Sequence, residues 1–171
     1  MVAALELYLD TDATRRVRVL WDALEAEGVQ SMRSLLAQRH RPHVSLAVAP
    51  HFDPDRVAEA LLGTVVAAPL RLRFEHAGQF VGRVLWLGVT PTAELLAHHA
   101  LVHERLAGAG IELAEQYRPG RWVPHCTLSM RVPNTLMAAA VRRCLEVLPL
   151  DATVVGAALA DHARDITRPL P

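Results

Sequence analysis

Apolar positions along the chain recur with two periods, and the changes between them mark out its elements. "ALELYLD" (4–10) alternates apolar and polar residues, which predicts a strand. Thr11 or Asp12 then caps a helix with Val17, Leu20, Trp21 and Leu24 at i, i+3, i+4, i+7, and Gly28 stands where it stops. "QSMRSLLAQRHR" reads as a loop with a short helical turn, and "HVSLAVA" (43–49) as a strand. Asp53 with Pro54 opens a second helix carrying Val57, Leu61, Leu62 and Val65. "LRLRFEH" (70–76) and "VLWLGV" (84–89) form a hairpin around Gly78 and Gly82. Thr92 caps a long helix to about residue 107, and "WVPHCTLSMRV" (122–132) is a strand. Asn134 caps a helix with Met137, Val141, Cys144, Leu145 and Leu148, and residues 153 to 168 add one or two strands.

A histidine-bearing strand followed by a capped helix thus occurs at 43–65 and again at 125–148. Strands outnumber helices and no regular βαβ series appears, so the expectation is an α+β fold with antiparallel sheet. Two copies of one unit suggest two related lobes in a single folding unit spanning 1–171.

Composition narrows the function more than the fold. Acids and bases balance at 18 each, and the sequence pI is near 7.1. A surface for long nucleic acid needs a basic excess, so a nucleic-acid ligand here is short or held by one local pocket. All 18 bases are arginine; without lysine the chain has neither Schiff-base chemistry nor a P-loop lysine. Cys126 and Cys144 are too few for a disulfide framework and lack metal-ligand spacing. With no membrane-spanning stretch and no basic leader, the expectation is a cytoplasmic protein, read as a monomer.

The repeated unit carries a repeated phrase, "PHVSL" at 42–46 and "PHCTL" at 124–128. In a strand, residues i and i+2 share a face, so His43 projects with Ser45 and His125 with Thr127. By the same parity Ser129 and Arg131 extend the second row. Histidine exchanges protons near neutral pH, and a hydroxyl donates to a phosphoryl oxygen. Two such pairs facing each other suit in-line displacement at phosphorus, one imidazole taking a proton and the other giving one.

On His43-Val44-Ser45-Leu46 and His125-Cys126-Thr127-Leu128 the sequence resembles the 2H phosphoesterases, within them the 2′-5′ RNA ligase and cyclic phosphodiesterase group. "RHRPHVSLA" and "WVPHCTLSM" are similar to bacterial members as whole phrases, and the element order matches over nearly the whole chain. The resemblance implies a bilobal fold with pseudo-twofold symmetry, antiparallel sheets lining a central cleft and helices packed outside. It implies chemistry without metal or other cofactor on a 2′,3′-cyclic phosphate or 2′-5′ linkage of a nucleotide or RNA end. His125 would then be the base and His43 the acid in hydrolysis, the roles exchanging in ligation. Ser45 stands where threonine is commoner.

Arg41, Arg118 and Arg121 flank the two motifs and are candidate base or phosphate contacts, as Arg131 is for phosphate. Tyr117 is the candidate for stacking on a nucleobase, and Trp122 reads as a core anchor. Two rival readings remain: a non-catalytic RNA- or nucleotide-binding module on the same fold, and a metal enzyme using His98, His99 and His103. The last two histidines have helical ligand spacing, but His99 shares its helix face with Leu95, Val102 and Leu106.

Overall fold

A computed structural model describes residues 3–35 and 40–171. The first half of the chain runs β1 (Ala3–Leu9), α1 (Thr11–Ala26), α2 (Met32–Leu35), β2 (His43–Ala49), α3 (Pro54–Ala60) and β3 (Arg71–Phe80). The second runs β4 (Val84–Val89), α4 (Ala93–Gly108), β5 (His125–Ser129), α5 (Met137–Val147) and β6 (Leu150–Asp161), with β7 (Ile166–Leu170) appended. Apart from α2, each half is therefore strand–helix–strand–helix–strand.

The sheet order is β2-β1-β6-β3-β4-β5, with β7 on β6, and each pairing is antiparallel. The order is palindromic because the halves exchange their third strands: β6 completes the lobe of β1 and β2, while β3 completes that of β4 and β5. Twelve-residue β6 joins the lobes, pairing with β3 through Leu150–Thr153 and with β1 from Val154 onward. The two end strands, β2 and β5, lie against each other. This is the expected bilobal α+β architecture.

Leu5, Leu7 and Leu9 on one face of β1 pack with Val17, Leu20, Trp21 and Leu24 of α1, and Leu85, Leu87 and Val89 of β4 with Leu95, Val102 and Leu106 of α4. At roughly 2 kcal/mol per buried leucine-sized side chain, these layers hold each lobe shut behind the cleft.

Several boundaries differ from the sequence reading. Asp10, not Thr11 or Asp12, caps α1, its carboxylate accepting from the Ala13 amide at 3.0 Å. Helix α3 stops at Ala60, and Leu62 and Val65 are exposed, because Gly63 turns the chain with φ +78°. Asn134 opens a single 3-10 turn, with α5 following at Met137. Only Gly82 lies in the β3–β4 turn; Gly78 is inside β3, where a Cβ would come within 2.4 Å of the Trp86 ring. Among the described residues no helix is long and apolar enough to cross a membrane.

Candidate active site

The two motif strands have the same irregularity. In the β1–β2 ladder Leu5 pairs with Ala47 and Glu6 with Ser45, which leaves Leu46 as the extra residue of a bulge. In the β4–β5 ladder Leu85 pairs with Ser129 and Trp86 with Thr127, which leaves Leu128. Each bulge falls on the leucine that ends the motif, and both leucines are fully buried. The bulge also breaks the alternation on which Ser129 and Arg131 were placed. Ser129 turns inward, its hydroxyl donating to the Gln30 carbonyl at 2.7 Å, and Arg131 lies exposed beyond the strand end.

The histidines are held alike. His43 Nδ1 lies 2.8 Å from the Arg41 carbonyl, and His125 Nδ1 lies 2.7 Å from the Val123 carbonyl. A carbonyl only accepts, so each Nδ1 carries the proton and each Nε2 is left to exchange one. The intervening residue is a proline in both, Pro42 and Pro124, whose ring fixes its φ at about −65°. His125 has its pKa lowered by burial and, to a smaller extent, by the charge of His43 nearby.

Their surroundings differ. Across the ladder from His43 and Ser45 stand Tyr8 and Glu6; across from His125 and Thr127 stand Gly88 and Trp86. Glu6 is 2% exposed, with Oε1 at 3.5 Å from His43 Nε2 and 2.9 Å from His162 Nε2. Despite its burial, these histidines hold its carboxyl down at about 2. Around His125 the wall is aromatic: Phe80 meets it edge-on at 4.8 Å, Trp86 lies at 5.9 Å and Tyr117 at 6.4 Å between ring centroids. Glycines make room for that wall, Gly78 beneath Trp86 and Gly88 beneath His76.

Of the other residues singled out, Arg41 stacks over the Tyr8 ring at 4.1 Å, at the rim of the first histidine's pocket. Arg118 is exposed at the end of the 115–117 turn, and Arg121 is paired with Glu115. Tyr117 is half-buried. Trp122 is buried as expected and donates its indole N–H to the Ser45 carbonyl at 3.0 Å.

The α4 histidines are structural. Nε2 of His98, His99 and His103 bonds to the carbonyls of Val66 (3.1 Å), Tyr117 (2.9 Å) and Leu46 (2.9 Å) respectively. The last of these carbonyls is freed by the β2 bulge. His99 also lies flat on Trp122 at 3.9 Å. Burial lowers the pKa of all three, that of His99 to about 4, so they act as neutral donors. Among the described residues no group of three or more His, Cys, Asp or Glu is arranged to hold a metal ion.

Sequence reasoning missed Glu6, His162 and the aromatic pair Phe80 and Trp86. None of them carried a signal readable in the sequence alone. A carboxylate within a strand whose every residue is buried has to be paired or functional, but "ALELYLD" by itself reads as half-exposed.

The chain has relatives of known structure. It resembles E. coli LigT in complex with 3′-AMP, at 20% identity and a TM-score of 0.64, over 99% of this chain and 95% of that one. A phosphoesterase matches at 20% identity and 0.59, over 99% and 95%. The MHV ns2 PDE domain matches at 17% and 0.57, over 99% of both chains. No curated protein sequence matches. The family model of the 2′-5′ RNA ligase superfamily spans residues 14–166, both histidine motifs included. On that span, and with the fold it shares with these structures, the chain belongs to the 2′-5′ RNA ligase superfamily, a branch of the 2H phosphoesterases.

Proposed function

We propose that the protein is a phosphodiesterase that hydrolyses 2′,3′-cyclic phosphates or 2′-5′ linkages of nucleotides and RNA ends, with a further, reversible 2′-5′ ligation in which a 5′-hydroxyl takes the place of water in opening the cyclic phosphate. The observation that carries this reading is the matched pair of imidazoles. Each is pinned through Nδ1 to a carbonyl two residues back, keeps Nε2 for proton exchange, and has a motif hydroxyl beside it. One Nε2 removes a proton from the attacking oxygen and the other protonates the departing one, a division worth roughly 10²- to 10⁴-fold for each group. The Ser45 and Thr127 hydroxyls donate to the phosphoryl oxygens as charge builds there. The chemistry is complete with these groups and calls for no metal.

The aromatic wall offers Tyr117 and Phe80 as stacking partners for a base attached to the phosphate. Arg41, Arg118 and Arg131 are the cations for flanking phosphates, whereas Arg121 is engaged by Glu115. A cleft of this kind takes the end of a strand or a free nucleotide and works as a monomer in the cytoplasm. The binding of 3′-AMP by E. coli LigT agrees with a nucleotide ligand.

The test is incubation in EDTA with 2′,3′-cyclic mononucleotides and 2′-5′ dinucleotides, with the products resolved by ³¹P NMR. Ring opening to a phosphomonoester is expected. Nucleotide binding with no turnover of any substrate would make the chain a binding module instead.

A further inference from the structure

The repetition of the two halves makes Glu6 and Trp86 equivalent, each facing the hydroxyl residue of its motif strand. One lobe therefore sets a carboxylate beside its catalytic histidine, where the other sets an indole. An ionised side chain buried this deeply needs a compensating charge nearby. Glu6 is ionised throughout the range in which histidines titrate, so the cluster around it holds at least one proton.

Three imidazoles could carry that proton. His40 is excluded by burial, which lowers its pKa to about 3; it is 5% exposed, and neither ring nitrogen has a hydrogen-bond partner among the described residues. Its ring lies 5.0 Å from those of both His43 and His162 and fills the space between them. His162 has its pKa raised, first by the hydrogen bond to Glu6 and then by the charges of Glu6, Asp161 and Asp165. It stands in the β6–β7 turn, where the Asp161 carboxylate accepts from the Ala163 and Arg164 amides, and a quarter of its side chain reaches solvent. From β1, Tyr8 adds a phenol kept protonated by burial, and Arg41 covers it. From β5, Cys126 is held as a thiol, pushed up to about 12 by burial, and His125 faces the cluster from across the cleft.

We propose that Glu6, bridging His162 and His43, is the positioning residue that makes His43 the proton donor and His125 the acceptor in hydrolysis, with His162 returning protons from solvent. This rests on the two-histidine reading above. In the forward step His125 Nε2 takes a proton from water as the water oxygen bonds to phosphorus. The P–O bond to the ribose breaks, and the His43 Nε2 proton passes to that ribose oxygen. His125 ends one proton richer and His43 one poorer. His125 releases its proton to solvent; His43 recovers one from the His162 Nε2–H by way of Glu6 Oε1, and water reprotonates His162. Two chemically alike histidines are assigned opposite roles by unlike neighbours, a carboxylate 3.5 Å from the one and an aromatic wall around the other.

The experiment is the pH profile of kcat/KM for a 2′,3′-cyclic mononucleotide with Glu6→Gln and with His162→Gln. Loss of the carboxylate charge is expected to bring the alkaline limb down by about one pH unit or more, with the acid limb, set by His125, unmoved. His162→Gln, in an exposed turn, is expected to move the same limb by less. A lower rate at every pH with both limbs in place would overturn the proposal and leave Glu6 a packing residue. Should Glu6→Gln not fold, His162→Gln decides alone. Imidazole ¹⁵N shifts, read without substrate, separate this proposal from the function it rests on. Wild-type protein is expected to keep an imidazolium in this cluster above the ordinary histidine value of 6.5, and His162→Gln to change the shifts of His43 but not those of His125. A wild type that fails to hydrolyse yet shows those shifts would sink the activity and keep the proton array; all-neutral imidazoles would sink the array itself.

Discussion

Trp122, two residues before the second motif, donates its indole N–H to the carbonyl of Ser45, the hydroxyl residue of the first motif, at 3.0 Å. His99 is stacked on the same indole, and His103 bonds to the next carbonyl, that of Leu46. The motifs come from different lobes, and this group from α4 and the 118–124 loop fixes one against the other. Trp122→Phe leaves the Ser45 carbonyl unpaired at a buried position, at a cost of about 1–3 kcal/mol. We expect a lower melting temperature and a fall in kcat of about 10-fold or more, since a displacement on the order of 1 Å between reacting groups is enough for that. A normal kcat in a destabilised variant would restrict the indole to packing.

The same buried histidines predict acid sensitivity. His99 has its pKa lowered by burial from 6.5 to about 4. Between those values the unfolded chain binds a proton that the folded chain refuses, so its contribution to stability is full above pH 6.5 and is lost as pH falls toward 4. For His99 alone this amounts to about 3 kcal/mol. Glu6, lowered to about 2 from 4.5, loses its contribution only at lower pH. Urea midpoints should therefore drop between pH 7 and 4.5, and His99→Gln, which keeps a donor for the Tyr117 carbonyl but does not titrate, should drop less. Equal slopes for the two proteins would contradict this account.

The aromatic wall depends on a missing side chain. A Cβ at residue 78 would meet the Trp86 ring at 2.4 Å, and Trp86 packs in turn on Phe80 at 4.9 Å and against His125. Gly78→Ala should cost about 1–3 kcal/mol and shift the near-ultraviolet circular dichroism as the indole moves. Its kcat/KM should fall as well; an unchanged spectrum would show that the ring does not lie where described.

The hydroxyls separate binding from catalysis. Ser45→Ala and Thr127→Val keep the strands and their bulges but remove donors aimed at developing charge. Each is expected to lower kcat by about 10²-fold with little change in melting temperature. An effect confined to KM would make them ground-state contacts.

Much of this was legible in the sequence, because the repeated phrase pairs residues by strand parity and parity is local. Both motif strands, the order of elements and the long helices followed from the period of apolar positions, helped at α4 by the Thr92 cap. The bulges were not legible: one extra residue opposite a ladder leaves no mark on the pattern of apolar positions, and it moved Ser129 from the cleft to the core. Nor was the exchange of third strands, which is a matter of pairing between distant segments. That exchange brings the small residues of β6, Gly156 and Ala158, beside Tyr8 and Glu6. Glu6 looked like the wet side of an amphipathic strand, and His162, which the end of β6 brings to it, lies 156 residues away in the chain.

The most direct test of the account is hydrolysis of a 2′,3′-cyclic mononucleotide in EDTA by wild type, His43→Ala and His125→Ala, with folding checked by circular dichroism. We expect turnover by the wild type and a loss of about 10²-fold or more in each folded variant. A folded variant that retains full activity, or wild-type turnover that EDTA abolishes, would contradict it.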